Sequence, residues 1–292
     1  MLPQLIANSL IAGSIIILAA IGFGLIYGTA RFFHFAQAAT ITAGAYLTLL
    51  GQELFSLPVP LAAVLAVALC GLLGVAMDVC CFRPLRHRHA SPLISLLASL
   101  GLYIVIQNVI SLSFGDNQEV IVAGSGEIPA SLLGARLLPV QMAIMATSLT
   151  LLLGVAALLR GTRIGKACRA VACDPVLSRT CGVDPDRTLL VVFAIGSALG
   201  GAAGVLIALD VGMTPQMGLS VLLLGVVAVI VGGVGSFPGI ILGGLLLGFT
   251  QHFATWVLGA QWQESIAFGV LLLFLVWRPQ GWLGQQLETT TG

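Results

Sequence analysis

The run VGMTPQMGLSVLLLGVVAVIVGGVGSFPGIILGGLLLGFTQHFATWVLGAQWQ, residues 211–263, contains no Asp, Glu, Lys or Arg. Its 53 residues are too many for a single membrane helix, because about 20 apolar residues already cross a hydrocarbon core ~30 Å thick. Glycines and a proline interrupt the run between Gly232 and Gly239, and a helix does not easily continue past proline. The run therefore predicts two membrane spans joined by a Gly/Pro-rich break.

The composition of the whole chain agrees with a membrane protein. Of the 292 residues, 58% are hydrophobic and 8% are charged, and the mean hydropathy is +1.08. Soluble domains carry about 25% charged residues, so this chain could not cover a water-facing surface. The net charge of +1 gives no argument for nucleic acid as a partner. The six cysteines lack metal-ligand spacing, so we predict neither a metal site nor a disulfide framework.

Apolar stretches of membrane-spanning length recur along the chain and predict an all-α, polytopic transmembrane bundle of eight or nine spans. The predicted spans are residues 5–30, 33–50, 59–79, 92–114, 138–159, 189–209, 219–232, 240–257 and 265–277. The second stretch is ambiguous, since His34, Gln37 and Thr40 suit a lipid-facing helix poorly. A full crossing there gives nine spans with the N-terminus outside, and a re-entrant segment gives eight with the N-terminus inside.

Basic residues predict the orientation. Ten of the twelve Lys and Arg residues fall in three segments, 83–88, 160–187 and Arg278, which are separated by even numbers of predicted spans. Short cytoplasmic loops are enriched in Lys and Arg, so we place these segments and the C-terminus in the cytoplasm. Two acidic residues, Asp78 and Asp210, lie near predicted span ends, where we expect water to solvate them.

The longest polar segment on that side is residues 160–187, RGTRIGKACRAVACDPVLSRTCGVDPDR. Asp174 followed by Pro175 is typical of a helix start, with Asp as the N-cap. Gly182 suits the left-handed position after a helix, and Asp184 can cap the next span. The segment therefore predicts short helices lying against the membrane face. Either it is a basic loop with no partner, or its defined ends serve to dock another protein.

Glycine patterns point to two further features. Gly196, Gly200 and Gly204 form linked small-xxx-small repeats, which let helices pack closely in lipid. The break between the last long spans must be buried in protein or line a cavity, so it is a candidate translocation path, although a tight turn between spans is the alternative. The residues that we assign to the path are His34, Gln37, Gly232, Gly233, Gly235, Ser236 and Pro238.

No motif for chemistry is present in the sequence. The triplet Gly165-Lys166-Ala167 is not a phosphate-binding loop, because no Ser or Thr follows the lysine. We find no nucleophile elbow and no zinc-protease motif. We therefore predict that the chain is not an enzyme, has no catalytic residues and binds no cofactor of its own.

Several stretches together resemble one transporter family. They are GFGLIYG (22–28), GAY (44–46), GKACRAVACDP (165–175), VFAIGSALGGAAGVL (192–206), VGGVGSFPGIILGG (231–244) and RPQGWLG (278–284). In order and spacing they are similar to the permeases of high-affinity branched-chain amino-acid ABC transporters, and specifically to the first, shorter permease type. The resemblance extends over nearly the whole chain.

The resemblance implies a single transmembrane permease domain, residues 1–292, in the inner membrane of a bacterium. It implies as partners a second, homologous permease, two cytoplasmic ATPases that bind ATP, and a periplasmic or lipid-anchored substrate-binding protein. It also implies that an ATPase docks on residues 160–187. The residues that we assign to docking are Lys166, Arg169, Ala170, Asp174, Pro175 and Gly182.

One stretch departs from the family pattern. Where the family usually has Asn-Phe-Ala-His-Gly-Glu, this chain has HFAQAA, residues 34–39. Its cargo could therefore differ from branched-chain amino acids, with urea or a short amide as the alternative. A stand-alone secondary carrier is a further alternative, but it needs coupling-ion or proton sites in the spans, and the sequence offers few.

Overall fold

The computed structural model describes residues 2–121, 130–132, 135–278 and 281–284. Helices account for most of this part of the chain. They are α1 (Leu2–Ala30), α2 (Ala36–Phe55), α3 (Val59–Met77), α4 (Arg83–His87), α5 (Pro92–Phe114), α6 (Pro139–Gly161), α7 (Arg163–Cys173), α8 (Pro175–Thr180), α9 (Pro185–Asp210), α10 (Met217–Gly232), α11 (Phe237–Leu258) and α12 (Gln263–Trp277). A π-helical turn, Asp78–Phe82, joins α3 to α4, and a 3₁₀ turn, Ala260–Trp262, precedes α12.

The predicted all-α transmembrane fold is confirmed. Seven helical segments in the described ranges are long and apolar enough to cross a membrane. They are Leu2–Ala30, Val59–His87, Pro92–Phe114, Pro139–Gly161, Pro185–Asp210, Phe237–Leu258 and Ala260–Trp277. The uncharged run divides as predicted, since α10 ends at Gly232 and α11 begins at Phe237. One element was not predicted: a two-stranded antiparallel sheet of β1 (Ala130–Leu132) and β2 (Ala135–Leu137).

Contacts between residues far apart in the sequence separate the helix ends into two groups. Arg31, after α1, donates to the carbonyl oxygens of Ala172 and Cys173 at the end of α7, and Arg86 of α4 pairs with Asp186 at the start of α9. We call this group of helix ends the basic end. At the opposite end, the backbone groups of Glu119 and Met213 bond to each other at 3.0 and 2.8 Å.

Helix α2 decides the number of crossings. It is one continuous helix of 20 residues, about 30 Å long. Its last turn leads directly to α3, because the Leu57 amide donates to the Gly51 carbonyl, and Tyr46 packs on Phe114 at the far end of α5. With α2 and the shorter α10, nine helices in the described ranges run between the two ends. The N-terminus and C-terminus of the bundle therefore lie at opposite ends.

Burial explains why α2 can carry polar residues. It packs against α3, α5, α9 and α10, and Gln37 and Thr40 are fully buried in protein rather than exposed to lipid. The most apolar parts of α1 and α9 are 78% and 67% buried, whereas that of α6 is 17% buried and the segment Ala260–Trp277 is 6% buried. The molecule thus has a core of α1, α2, α9 and α10, surrounded by lipid-facing helices.

Glycines bring the backbones of the core helices into contact. A Cβ at Gly204 of α9 would overlap the carbonyl oxygen of Ile41 of α2, and a Cβ at Gly44 would overlap the carbonyl oxygen of Gly201. Gly196 faces Gly22 and Ile26 of α1 in the same way, and Gly200 faces Gln37. In lipid, such contacts stabilise helix pairs through dispersion, since no hydrophobic effect drives helices together there.

We expect Gly204→Ala to destabilise the protein by about 1–3 kcal/mol, because α2 and α9 must separate to admit the methyl group. Thermal unfolding in detergent should show a lower midpoint than wild type. Gly154→Ala in lipid-facing α6 is the matched control, since no described atom lies within 4 Å of a Cβ there. Equal midpoints for the two variants would contradict this account of α9 packing.

Candidate functional site

The α6–α7 elbow begins the polar segment at the basic end. Thr162 ends α6 and caps α7: its hydroxyl donates to the Leu158 carbonyl at 2.7 Å and accepts from the Gly165 amide at 3.3 Å. Arg169 donates to the Leu159 carbonyl at the end of α6, where a cation is favourable because helix carbonyls there lack partners. These contacts fix α7 against the end of α6.

The predicted helix ends in this segment are confirmed. The Asp174 carboxylate accepts from the amides of Val176 and Leu177 at 2.8 and 3.0 Å and so caps α8. These two amide hydrogen bonds lower the pKa of Asp174, so the cap stays ionised near neutral pH. Gly182 follows α8 with φ of +81°, the left-handed conformation that glycine adopts readily. Asp184 then caps α9.

Two apolar side chains stand out on α8. Val176 is 76% exposed and Leu177 is 62% exposed, although this segment lies at the polar end of the bundle. The adjacent Asp174 and Arg179 are also exposed. In α7 the buried face is formed by Gly165, Cys168 and Val171. The helix pair α7–α8 therefore presents a mixed apolar and charged surface away from the bundle.

Arg31 links this surface to the core and was not identified from the sequence. Its guanidinium donates to the carbonyls of Ala172 and Cys173, both at 2.8 Å. These are unpaired carbonyls at the end of α7, so the charge also complements the helix dipole. A movement of α7 would therefore displace the end of α1 directly. The available signal was a lone basic residue between two spans.

An ion-pair network links α8 to α3, and it corrects the expectation that water solvates Asp78. Asp78 is fully buried in the π-helical turn and pairs with Arg86 at 2.6 Å. Arg86 also lies 3.5 Å from Asp186 of α9, which in turn lies 3.7 Å from Arg179 of α8. The sequence places Asp78 and Arg86 eight residues apart, but only the π turn brings their side chains together.

The buried polar residues at the start of α2 and just before it pack tightly. Gln37 donates from Nε2 to the Gly196 carbonyl at 2.7 Å. His34 is surrounded edge-on by Phe82 and Phe193 at 5.0 and 5.1 Å and also by Phe32. Among the described residues, neither ring nitrogen of His34 has a hydrogen-bond partner. The structure thus brings Gln37 together with the packing glycines Gly196 and Gly200 of α9.

The Gly/Pro-rich break forms the turn between α10 and α11 at the basic end. Ser236 caps α11 through its hydroxyl, which accepts from the Gly239 amide at 3.3 Å, and Pro238 lies in the first turn, where its missing N–H costs no hydrogen bond. The amides of Trp282 and Leu283 donate to the carbonyls of Val231 and Gly232 at 2.9 and 3.0 Å. The chain after α12 therefore covers this turn. The assignment of the turn to a translocation path stays a prediction.

The described residues show no group of three or more His, Cys, Asp or Glu side chains that could hold a metal ion. The six cysteines are free thiols in the described structure. Burial raises the pKa of Cys168 on the inner face of α7, which disfavours its reactive thiolate form.

Comparison with known proteins gives consistent matches. A family model described as "Branched-chain amino acid transport system / permease component" matches residues 5–276. The high-affinity branched-chain amino acid transport system permease protein BraD of Pseudomonas aeruginosa is 31% identical over 297 residues, covering 97% of this chain and 95% of that protein. The corresponding permease protein LivH of Escherichia coli K12 is 29% identical, with the same coverage. The solved structure of PsaBC from Streptococcus pneumoniae in complex with Fab has a TM-score of 0.50 at 13% identity, covering 92% of this chain and 90% of that chain, and is similar in fold alone.

We expect Asp78→Ala to lower the free energy of unfolding by up to about 3 kcal/mol, because it leaves the partly buried Arg86 without its closest partner. Arg187→Ala is the control: its pair with Asp184 is solvent-exposed, at 89% and 50% exposed side chain, and should contribute less than about 1 kcal/mol. Thermal unfolding in detergent measures both. A larger loss for Arg187→Ala would rule out the network as a stabilising link.

Proposed function

The chain belongs to the family of permease components of branched-chain amino acid transport systems, and from this premise we propose that it is the membrane-spanning subunit of an ATP-binding-cassette importer for branched-chain or related amino acids. Relatives matched over nearly their whole length carry that cargo in their names, which favours it over urea or short amides. A secondary carrier is disfavoured, since His34 and Asp78 are the fully buried residues among the His, Asp, Glu, Lys and Arg of the described part of the chain, and Asp78 is already paired.

The surface of α7–α8 is the observation that carries the proposal. Val176 and Leu177 are exposed in the first turn of α8, which Asp174 caps. Arg31 and Arg169 fix the preceding helix, α7. An apolar pair of side chains that a rigid helix exposes to solvent is buried only when a partner covers it. We therefore place an ATPase on residues 160–187, with Lys166 and Arg179 at the rim and Asp174 and Gly182 holding the shape.

The orientation follows from the positive charges. Arg83, Arg86 and Arg88 lie at the same end as residues 160–187, and such basic clusters face the cytoplasm. We propose that the basic end and the C-terminus are cytoplasmic and that the N-terminus faces the other side of a bacterial inner membrane. ATP would be bound by two ATPase subunits, and a second permease and a binding protein would complete the importer.

The mechanism that we infer is alternating access driven through this surface. Closure of the ATPases would move α7–α8 as a unit. Arg31 would transmit the movement to α1, and the Arg179–Asp186–Arg86 network would transmit it to α9 and α3. Close backbone packing makes these helices move as rigid bodies rather than bend. The core would then rock between two arrangements, opening the path first to one side and then to the other.

We expect Val176→Glu to reduce co-purification of the ATPases at least tenfold, because docking would bury a carboxylate without a partner. ATP-driven uptake by proteoliposomes should fall in parallel. Val120→Glu, on a valine that is 60% exposed at the opposite end, is the matched control and should retain both. Wild-type levels of bound ATPase in Val176→Glu would refute the docking surface.

The translocation-path assignment for Gly232–Pro238 has its own test. We expect Gly235→Leu to lower uptake at least tenfold with assembly unchanged. No described atom lies within 4 Å of a Cβ placed at this glycine, so the new side chain can enter free space. Its φ of +82° adds a local cost of about 1–2 kcal/mol. Gly269→Leu in lipid-facing α12, which is equally unobstructed, is the control. Normal uptake by Gly235→Leu would show that the segment is only a turn.

A further inference from the structure

A cavity at the opposite end of the bundle has no role in the function proposed above. Its volume is ≈ 450 Å³, and residues from α1, α6, α9, α10, α11 and α12 line it. Small-molecule sites typically measure about 300–1,000 Å³. It lies within this one subunit, and none of the residues assigned to the path or to docking lines it. Its rim includes Gln141, Asp210 and Gln263, which lie at helix ends.

Gln251 is the first indication that the cavity receives a ligand. Its side chain is 1% exposed, and its Nε2 has no hydrogen-bond partner in the described structure. A buried amide without a partner destabilises a fold, and native proteins almost always satisfy such groups. Gln251 lines the cavity about two turns below the end of α11 at Leu258. The nitrogen itself is buried, so rotation of the side-chain amide would bring it to the cavity, where a ligand atom that accepts a hydrogen bond would satisfy it.

Asp210 is the second indication. It is exposed at the rim, where its Oδ1 accepts from Gln141 Nε2 at a long 3.5 Å. Within the described ranges, its other carboxylate oxygen accepts no hydrogen bond and no Lys or Arg pairs with it. The rim therefore carries a negative charge that is free to bind a cationic group. His252 lies on the same wall, with Nδ1 3.3 Å from the Gly248 carbonyl.

The rest of the lining is aliphatic. Ile11, Ile15 and Ile16 of α1 form one wall, and Val221 and Leu224 of α10 form another. Branched aliphatic side chains provide an apolar surface that fits a ligand of similar shape. The cavity thus combines an anion at the rim, a hydrogen-bond donor on the wall and an apolar interior.

We propose that this cavity is an intrasubunit binding site for a free aliphatic amino acid in its zwitterionic form. The ammonium group binds Asp210, the carboxylate accepts from Gln251 Nε2, and the side chain lies against the isoleucines of α1. The inference rests on the proposed function, because the site then holds cargo at the face opposite the ATPases, before it enters the path. It adds to that function a cargo-selective position inside a single permease subunit.

The test uses the intact importer in nanodiscs, without its binding protein and without ATP, and tritiated L-leucine as the probe. We expect saturable binding to wild type. Competition by 3-methylbutylamine, which lacks the carboxylate, and by 4-methylpentanoate, which lacks the ammonium, should be at least tenfold weaker than by leucine. These competitors need no mutation, so their result does not depend on whether a variant folds.

Two substitutions then locate the site. Gln251→Leu and Asp210→Asn should each weaken leucine binding at least tenfold, and in Asp210→Asn the preference for leucine over 4-methylpentanoate should largely disappear. Glu264→Gln is the matched charge control, because Glu264 is an exposed acid beside the rim that does not line the cavity. Gln107→Leu in α5 is the matched control for the lost amide.

The outcomes separate the two proposals. Normal ATP-driven leucine uptake with no leucine binding by the nanodisc sample, or with binding unchanged in both cavity variants, would overturn the site and leave the proposed function standing. A phospholipid that co-purifies with wild type and is lost from Gln251→Leu, by native mass spectrometry, would also overturn it, since lipid would then occupy the cavity. Failure of wild type to take up leucine, isoleucine or valine would overturn the proposed function and the site with it.

Discussion

The structure depends on the close backbone contact that α9 makes with α1, α2 and α3. Lipid cannot satisfy free backbone groups and supplies no hydrophobic force between helices, so the core must gain its stability from packing at short range. Gly196 and Gly204 let the backbones of α1 and α2 lie directly against α9, and Gly200 makes room for the Gln37 and Thr40 side chains of α2. This arrangement also allows α2 to carry buried polar side chains, because protein rather than lipid surrounds its first three turns.

The same close packing makes the two ends of the bundle different in kind. At the basic end, charged side chains from separate segments reach each other: Arg31 binds α7, and Asp186 joins α8, α9 and α4. At the opposite end the contacts are mainly amide and backbone hydrogen bonds. A displacement of α7–α8 would therefore act on this network of ion pairs. The closely packed core helices would transmit it toward the opposite end of the bundle.

Much of this architecture was predictable from the sequence, because membrane spans are set by a length and a composition that can be counted. The Pro92–Phe114 helix and the caps at Asp174 and Asp184 depend on local signals and occur where the residues predict them. Asp78 could not be placed in this way. Its partner Arg86 is brought to it by a π turn, which has no reliable sequence signature. The role of Arg31 could not be predicted either, because the carbonyls that it binds are 141 and 142 residues away in the sequence.

The π-helical turn at Asp78–Phe82 has a consequence for how this helix tolerates change in length. Such a turn accommodates one residue more than a regular helix would, and so rotates everything beyond it by roughly a quarter turn about the axis. The rotation of α3, before the turn, determines which of its faces contacts α9. The rotation of α4, after the turn, determines the direction of the Arg86 side chain. The two halves of the helix are therefore rotated independently about the axis. Deleting one residue in this turn would barely change the hydropathy of the segment, but it would turn the Arg86 side chain away from Asp78 and Asp186.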